Sequence, residues 1–168
     1  MTGDAPATAP AAPAPFTVRD AAPADAPAIA AFNVALAQET EGKRLDRETL
    51  AAGVAAVLAD PAKGRYWVAV DSAGDVVGQV MVTWEWSDWR NGPFWWVQSV
   101  YVAPAARGRG VFRALLARVR ECADAAGAVG IRLYVEADNA PARATYARCG
   151  FTPAGYDVLE RPAGGPGA

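Results

Sequence analysis

Apolar positions along this chain recur with two periods, and the switches between them outline its elements. Phe16-Thr17-Val18-Arg19, Tyr66-Trp67-Val68-Ala69-Val70, Val76 to Trp84, and Trp95-Trp96-Val97-Gln98-Ser99-Val100-Tyr101-Val102 are rich in aromatic and β-branched residues, which predicts strands. Ser72-Ala73-Gly74-Asp75 separates the second and third runs as a hairpin turn, and Asn91-Gly92-Pro93 marks another turn before the Trp95 run. From Gly110 the period changes: Val111, Leu115, Val119 and Cys122 fall at helical spacing. Asp25 before Pro27 predicts a capped helix to about Gln38, and Asp46 caps a second helix through Leu58, closed by Asp60-Pro61. Ile131 to Glu136 follows the long helix as another strand, so the crossover implies two parallel strands. A last helix opens at Pro141 with Ala142, Tyr146 and Cys149 on one face, and Phe151 to Glu160, bent at Gly155, supplies the last strand or strands. The sum is a mixed α/β domain.

The 168 residues, 52% of them hydrophobic, suit one globular domain over residues 16–160. Residues 1–15, nearly all Ala, Pro and Thr, have neither a basic start nor an unbroken apolar run. They read as a disordered tail, not a signal peptide or membrane anchor, and residues 161–168, rich in Pro and Gly, as a flexible tail. A net charge of -2 gives no general pull toward nucleic acid or anionic membrane, even with five arginines between Arg107 and Arg120. The chain contains no histidine and no Cys-x-x-Cys, so zinc ligation and Ser-His-Asp or Cys-His catalysis lack their residues and no metal is expected. Cys122 and Cys149, each on the apolar side of a predicted helix, read as reduced thiols of a cytoplasmic protein.

Arg107-Gly108-Arg109-Gly110-Val111-Phe112 lies between a strand and a helix. Amides at a helix N-terminus point outward and the helix dipole favours anions. Gly108 and Gly110 remove Cβ atoms that would keep a diphosphate from the backbone, and Arg107 and Arg109 add positive charge. A dinucleotide fingerprint would require a third glycine where Phe112 stands, and a P-loop would require Gly-Lys-Ser/Thr, which is absent. The turn resembles the Gln/Arg-x-x-Gly-x-Gly/Ala phosphate loop of the GNAT family of acyl-CoA-dependent N-acetyltransferases, with Arg107 and Gly110 matching and Phe112 in place of the final Gly or Ala. A second block, from Asn139 through Ala142 and Tyr146 to Gly150-Phe151, is similar to that family's Asn-x-x-Ala-x-x-x-Tyr-x-x-x-Gly-Phe element. The order of elements from Phe16 to Glu160 agrees as well, so the resemblance covers the chain apart from its tails.

The resemblance implies a strongly twisted mixed sheet, flanked by helices, whose two parallel central strands splay to admit the pantetheine arm of acetyl-CoA. Backbone groups of Val100, Tyr101 and Val102 would pair with the pantetheine amides, and the amides of Arg107, Gly108, Arg109, Gly110, Val111 and Phe112 would take the diphosphate. Asn139 would be a cofactor contact or a helix cap. Tyr146 would protonate the departing thiolate as an acetyl group moves, by direct attack, to a primary amine of a small molecule or peptide. An alkylammonium with a pKa of about 10 must lose a proton before it attacks, whereas a thiol with a pKa of about 8.5 leaves with mild help. The strand ending at Val102 offers Gln98 where many family members carry Glu, so Glu85, set between Trp84 and Trp86, becomes the candidate base. Glu39 and Glu41 or a water relay are alternatives. Trp84, Trp86 and Trp89, interleaved with acids, suggest with Glu39 and Gln98 a surface for a cationic acceptor. The competing reading is a catalytically silent acyl-CoA sensor or interaction module. The identity of the acceptor, the base, the acyl length and the oligomeric state, a homodimer included, stay open.

Overall fold

A computed structural model describes residues 16–161, and the two tails read from the sequence lie outside them except for Arg161. The elements run β1 (Phe16–Asp20), α1 (Ala26–Glu41), α2 (Arg47–Ala59), β2 (Arg65–Asp71), β3 (Val76–Ser87), β4 (Gly92–Val102), α3 (Val111–Ala125), β5 (Gly130–Leu133) and α4 (Ala140–Arg148). The chain divides into two compact units between Leu133 and Tyr134. The first holds a five-stranded sheet in the order β1-β2-β3-β4-β5. Neighbours from β1 to β4 are antiparallel, and β4 and β5 are parallel.

Strand alternation sorts the side chains onto two faces. On one, Trp67, Ala69, Val80, Val82, Trp95 and Val97 pack against Val111, Leu115, Val119 and Ala123 of α3. On the other, Tyr66 and Val68 meet Ile29 of α1 and Val54 of α2. Gly78 lets α3 settle close to the sheet, because a Cβ there would lie 2.8 Å from Cγ1 of Val111. Gly78 pairs with Val102, so this contact fixes the start of α3 beside the end of β4.

The β3–β4 register carries a bulge that the sequence pattern does not announce. Met81 pairs with Ser99 and Val82 with Val97, which leaves Gln98 as the extra residue. The parallel pairing of β4 with β5 ends at the same point, covering Phe94 to Val97 against Gly130 to Leu133. Beyond it, β4 continues through Val102 with no strand paired on that side among the described residues.

Asp46 caps α2 as expected, its Oδ1 accepting from the Thr49 amide at 2.8 Å. Asp25 does not cap α1 with its side chain. Its carboxylate instead accepts two bonds from Arg19, at 2.7 and 2.9 Å, and one from the Ala22 amide at 2.7 Å, within a short 3-10 turn over Pro23–Asp25. The Arg19 guanidinium holds this nearly buried carboxyl below the ordinary aspartate range, against the opposing effect of burial. A depressed carboxyl stabilises the fold fully above its unfolded pKa and loses that contribution as pH falls through the folded value. Asp25→Asn is therefore expected to cost about 1–3 kcal/mol at neutral pH. Denaturant unfolding of both proteins should show this difference narrowing as pH drops below the ordinary aspartate value of about 4.

The second unit contains α4 and an irregular segment. The run from Ile131 stops being strand at Leu133, and residues 151–160 form no strand, contrary to the expectation from their composition. Pro153 and Gly155, the latter at φ 77°, interrupt that segment before an extended run can form.

Candidate active site

The open edge of β4 leads directly into the glycine turn. Val100 and Val102 pack toward the α3 core, while Tyr101 points to the opposite face and is buried. A 3-10 turn over Pro104–Ala106 follows, and then Gly108 and Gly110 take left-handed φ values of 75° and 87° before α3 begins at Val111. Left-handed glycines bring successive amides to one side of the chain, and the first turn of α3 adds amides that an α-helix cannot satisfy internally. The space beside Gly108 and Gly110 is open, with no atom within 4 Å of where a Cβ would stand. Buried Ala106 and Val111 anchor the turn at both ends. This cradle lies beside a strand edge that no strand pairs with among the described residues, and its backbone donors and acceptors have the chemistry to meet a diphosphate and the amides of a pantetheine arm. Val100, Tyr101 and Val102 and the turn from Arg107 to Phe112 are the groups that would hold them.

The Arg107 side chain turns away from the cradle. Its Nε donates to the Val102 carbonyl at 3.0 Å, its Nη2 to Oε2 of Glu39 at 2.7 Å, and its guanidinium lies 5.4 Å from the Tyr101 ring centroid. The Tyr101 hydroxyl donates to the other Glu39 oxygen at 2.6 Å, and its ring packs on Phe32 of α1 at 5.2 Å. Tyr101 foremost, and Arg107 with it, hold the Glu39 carboxyl below its ordinary range, which makes it a lasting anion and a weak base. Burial foremost, then Glu39, raises the Tyr101 phenol, so it keeps the proton it donates. Beneath this cluster, Gln79, the register partner of Tyr101, is fully buried and donates to Oδ1 of Asn33 at 2.6 Å. That bond ties α1 to the sheet and steadies the helix that carries Glu39. Neighbouring Glu41 pairs with Lys43 instead.

Further along the same sheet face, Gln98 at the bulge donates to Thr83 Oγ1 at 2.8 Å. Glu85 accepts from the Trp96 indole at 2.6 Å and from Arg132 at 3.1 Å, and Arg132 lies 3.6 Å from the centroid of the Phe94 ring. The indole against Glu85 is thus that of Trp96, the register partner of Thr83, which reaches it diagonally across the strands. Trp84 and Trp86, adjacent to Glu85 in sequence, alternate to the opposite face, where Trp84 meets Trp95 edge-on at 4.9 Å. Trp86 and Trp89 sit at the hairpin end and are 65% and 86% exposed, so they do not gather around Glu85. Arg132 and the Tyr101 hydroxyl, which bond Glu85 and Glu39, are not partners that the sequence pattern named for these acids. The β3–β4 register places Tyr101, and the β4–β5 register, which pairs Arg132 with Trp96, places Arg132, on the Glu85 face.

In the second unit, Asn139 caps α4, its Oδ1 accepting from the Ala142 amide at 3.1 Å. The Tyr146 ring meets Phe151 edge-on at 5.9 Å, and the Tyr146 carbonyl accepts from the Phe151 amide at 3.0 Å. Burial, with a smaller effect from Cys149, pushes the Tyr146 phenol up, so it is protonated at neutral pH. Neither cysteine forms a disulfide. Among the described residues no three His, Cys, Asp or Glu side chains gather to hold a metal ion, and no helix is long and apolar enough to cross a membrane.

Comparison with known proteins agrees with this geometry. The family model described as Acetyltransferase (GNAT) family matches residues 29–151. The chain is 36% identical over 138 residues to mycothiol acetyltransferase from Pseudarthrobacter chlorophenolicus, covering 80% of this chain and 41% of that protein. It is 31% identical over 85 residues to streptothricin acetyltransferase from Escherichia coli, covering 51% of this chain and 46% of that one. The chain therefore spans less than half the length of these curated relatives. Among solved structures it is similar to a possible acetyltransferase from Clostridium difficile 630, with a TM-score of 0.82 and 44% identity over 88% of this chain and 97% of that one. The match to ribosomal-protein-alanine N-acetyltransferase from Brucella melitensis, at 18% identity over 87% of this chain and 98% of that one with a TM-score of 0.69, is a likeness of fold alone. With its family model spanning β4, β5 and the glycine turn, the chain belongs to the GNAT family of acetyltransferases.

Proposed function

We propose that this protein is an acetyl-CoA-dependent N-acetyltransferase whose acceptor is a cationic primary amine of a small molecule or peptide. The observation that carries the reading is the β4 edge running into the Gly108–Gly110 cradle, with the carboxylates of Glu39 on α1 and Glu85 on β3 bonded to Tyr101 and Trp96 of the same strand. The names of the mycothiol and streptothricin acetyltransferases favour a small-molecule acceptor.

Acetyl-CoA supplies the activated thioester. Backbone groups of Val100 to Val102 align its arm, and the turn amides hold its diphosphate. Glu39, kept anionic by Tyr101 and Arg107, attracts the ammonium. Glu85, on the same sheet face and 46% exposed, is the proposed acceptor of the amine proton, directly or through water. Gln98, fixed to Thr83 at the bulge, presents its remaining amide oxygen for an acceptor N–H. Tyr146, protonated at neutral pH, is proposed to give its proton to the leaving sulfur, a role carried over from the Asn139 to Phe151 block, in which Asn139 is the proposed further donor contact. Trp84, Trp86 and Trp89 would serve an extended acceptor reaching the hairpin end; an unchanged acceptor KM in Trp86→Ala and Trp89→Ala would remove them from the site.

Donor binding tests the reading. A β-branched residue at Gly110 would be forced into a left-handed conformation or would rebuild the turn, at a cost on the order of 1–3 kcal/mol. Calorimetric titration should therefore show coenzyme A binding to the native protein and roughly 10- to 100-fold weaker binding to Gly110→Val. No binding to the native protein would contradict the proposal.

A further inference from the structure

We propose that Arg107 is shared between two anions, the Glu39 carboxylate and the diphosphate of the donor, so that filling the donor loop frees Glu39 to bind the ammonium of the acceptor. The inference rests on the acetyl-CoA reading above and adds to it a coupling between the two substrate sites.

Three observations carry it. Arg107 is the residue from which the glycine turn departs, yet its guanidinium spans from the Val102 carbonyl to Glu39. The ion pair is open to solvent on both sides, at 49% and 43% exposure. Such a pair is weakly held, and a diphosphate offers the same guanidinium more charge and a bidentate partner. Tyr101, by contrast, is a buried residue with its ring against Phe32, and its hydroxyl bonds the other Glu39 oxygen. When the guanidinium leaves, Tyr101 keeps the carboxylate in place, now with one oxygen available to a cation. Tyr101 is in this account a positioning residue, and Arg107 the element whose two partners exclude one another. Linkage then makes the effect mutual: whatever removes Glu39 as a partner strengthens the hold of Arg107 on the donor.

The test is a double-mutant cycle on coenzyme A affinity, read by calorimetry without turnover, with thermal melts to verify that each variant is folded. Glu39→Gln should tighten coenzyme A binding roughly two- to fivefold, the range an exposed ion pair commands. Arg107→Gln should weaken it, and adding Glu39→Gln in that background should change nothing further. Inorganic diphosphate, titrated alone, should likewise bind Glu39→Gln more tightly than it binds the native protein. Tyr101→Phe, which removes the bond that holds Glu39, should raise the acceptor KM with kcat close to native. Native protein that binds coenzyme A while Glu39→Gln leaves the affinity unchanged or weaker would overturn the sharing of Arg107 and leave the donor site standing. Native protein that does not bind coenzyme A would overturn the donor reading itself and this inference with it.

Discussion

Replacing Tyr146 with phenylalanine is expected to slow acetyl transfer by roughly 10²- to 10⁴-fold, the range over which a positioned proton donor acts. The substitution removes one oxygen and leaves the ring that meets Phe151. Burial raises the phenol pKa, so at neutral pH the group holds the proton it would give to the leaving sulfur. The loss should fall on kcat, with the coenzyme A Kd close to native, and steady-state kinetics beside calorimetry separates the two. Since the phenol would act as an acid, native activity should decline where it ionises, above the ordinary tyrosine value of about 10, and the variant should lack that limb. An unchanged kcat in Tyr146→Phe would remove this residue from the chemistry.

Trp67→Ala should be the most damaging single substitution for stability, costing about 3–5 kcal/mol. Trp67 is fully buried in the centre of the α3-side core, with Trp95 stacked at 6.1 Å and Val80 as its register partner. Removing the indole leaves a void bounded by the sheet and α3, which surrounding side chains fill only in part. Its indole N–H has no hydrogen-bond partner among the described residues. Trp67→Phe should therefore lose much less, since it deletes an unsatisfied donor along with part of the ring system. Thermal unfolding should fall on the order of 10 °C for the alanine variant. A loss in Trp67→Phe equal to that of Trp67→Ala would mean that the indole N–H has a partner after all.

The strands through Val102 were legible in the sequence because each buries at least one face, which forces aromatic and β-branched residues into runs. The start of α3 was equally plain, since Gly110 ends the turn and Val111, Leu115 and Val119 then repeat at helical spacing. The glycine turn and the Asn139 to Phe151 block carried the family resemblance because backbone approach and capping demand particular residues at particular steps. What stayed hidden depends on register. The bulge at Gln98 adds one residue to β4 without changing its composition, so no pattern marked where β4 and β5 part. Side chains adjacent in a strand point apart, and Trp84-Glu85-Trp86 therefore looked like a cluster in sequence although its members occupy two faces. Glu85 meets Trp96 and Arg132 instead, through two pairings set by the hairpin and the crossover. The bond from Tyr101 to Glu39 joins residues 62 positions apart and depends on how α1 lies on the sheet. Asp25 looked like a cap, but Arg19 claims its carboxylate across the first turn.

Purified protein mixed with acetyl-CoA and a broad panel of small-molecule and peptide amines, with release of coenzyme A thiol followed over time, tests the central claim most directly. Thiol release that depends on one class of cationic primary amine, with the acetylated amine recovered in equal amount, is the expected result. Binding of acetyl-CoA with no amine-dependent thiol release across the panel would contradict it, leaving a protein that holds the donor without transferring the acetyl group.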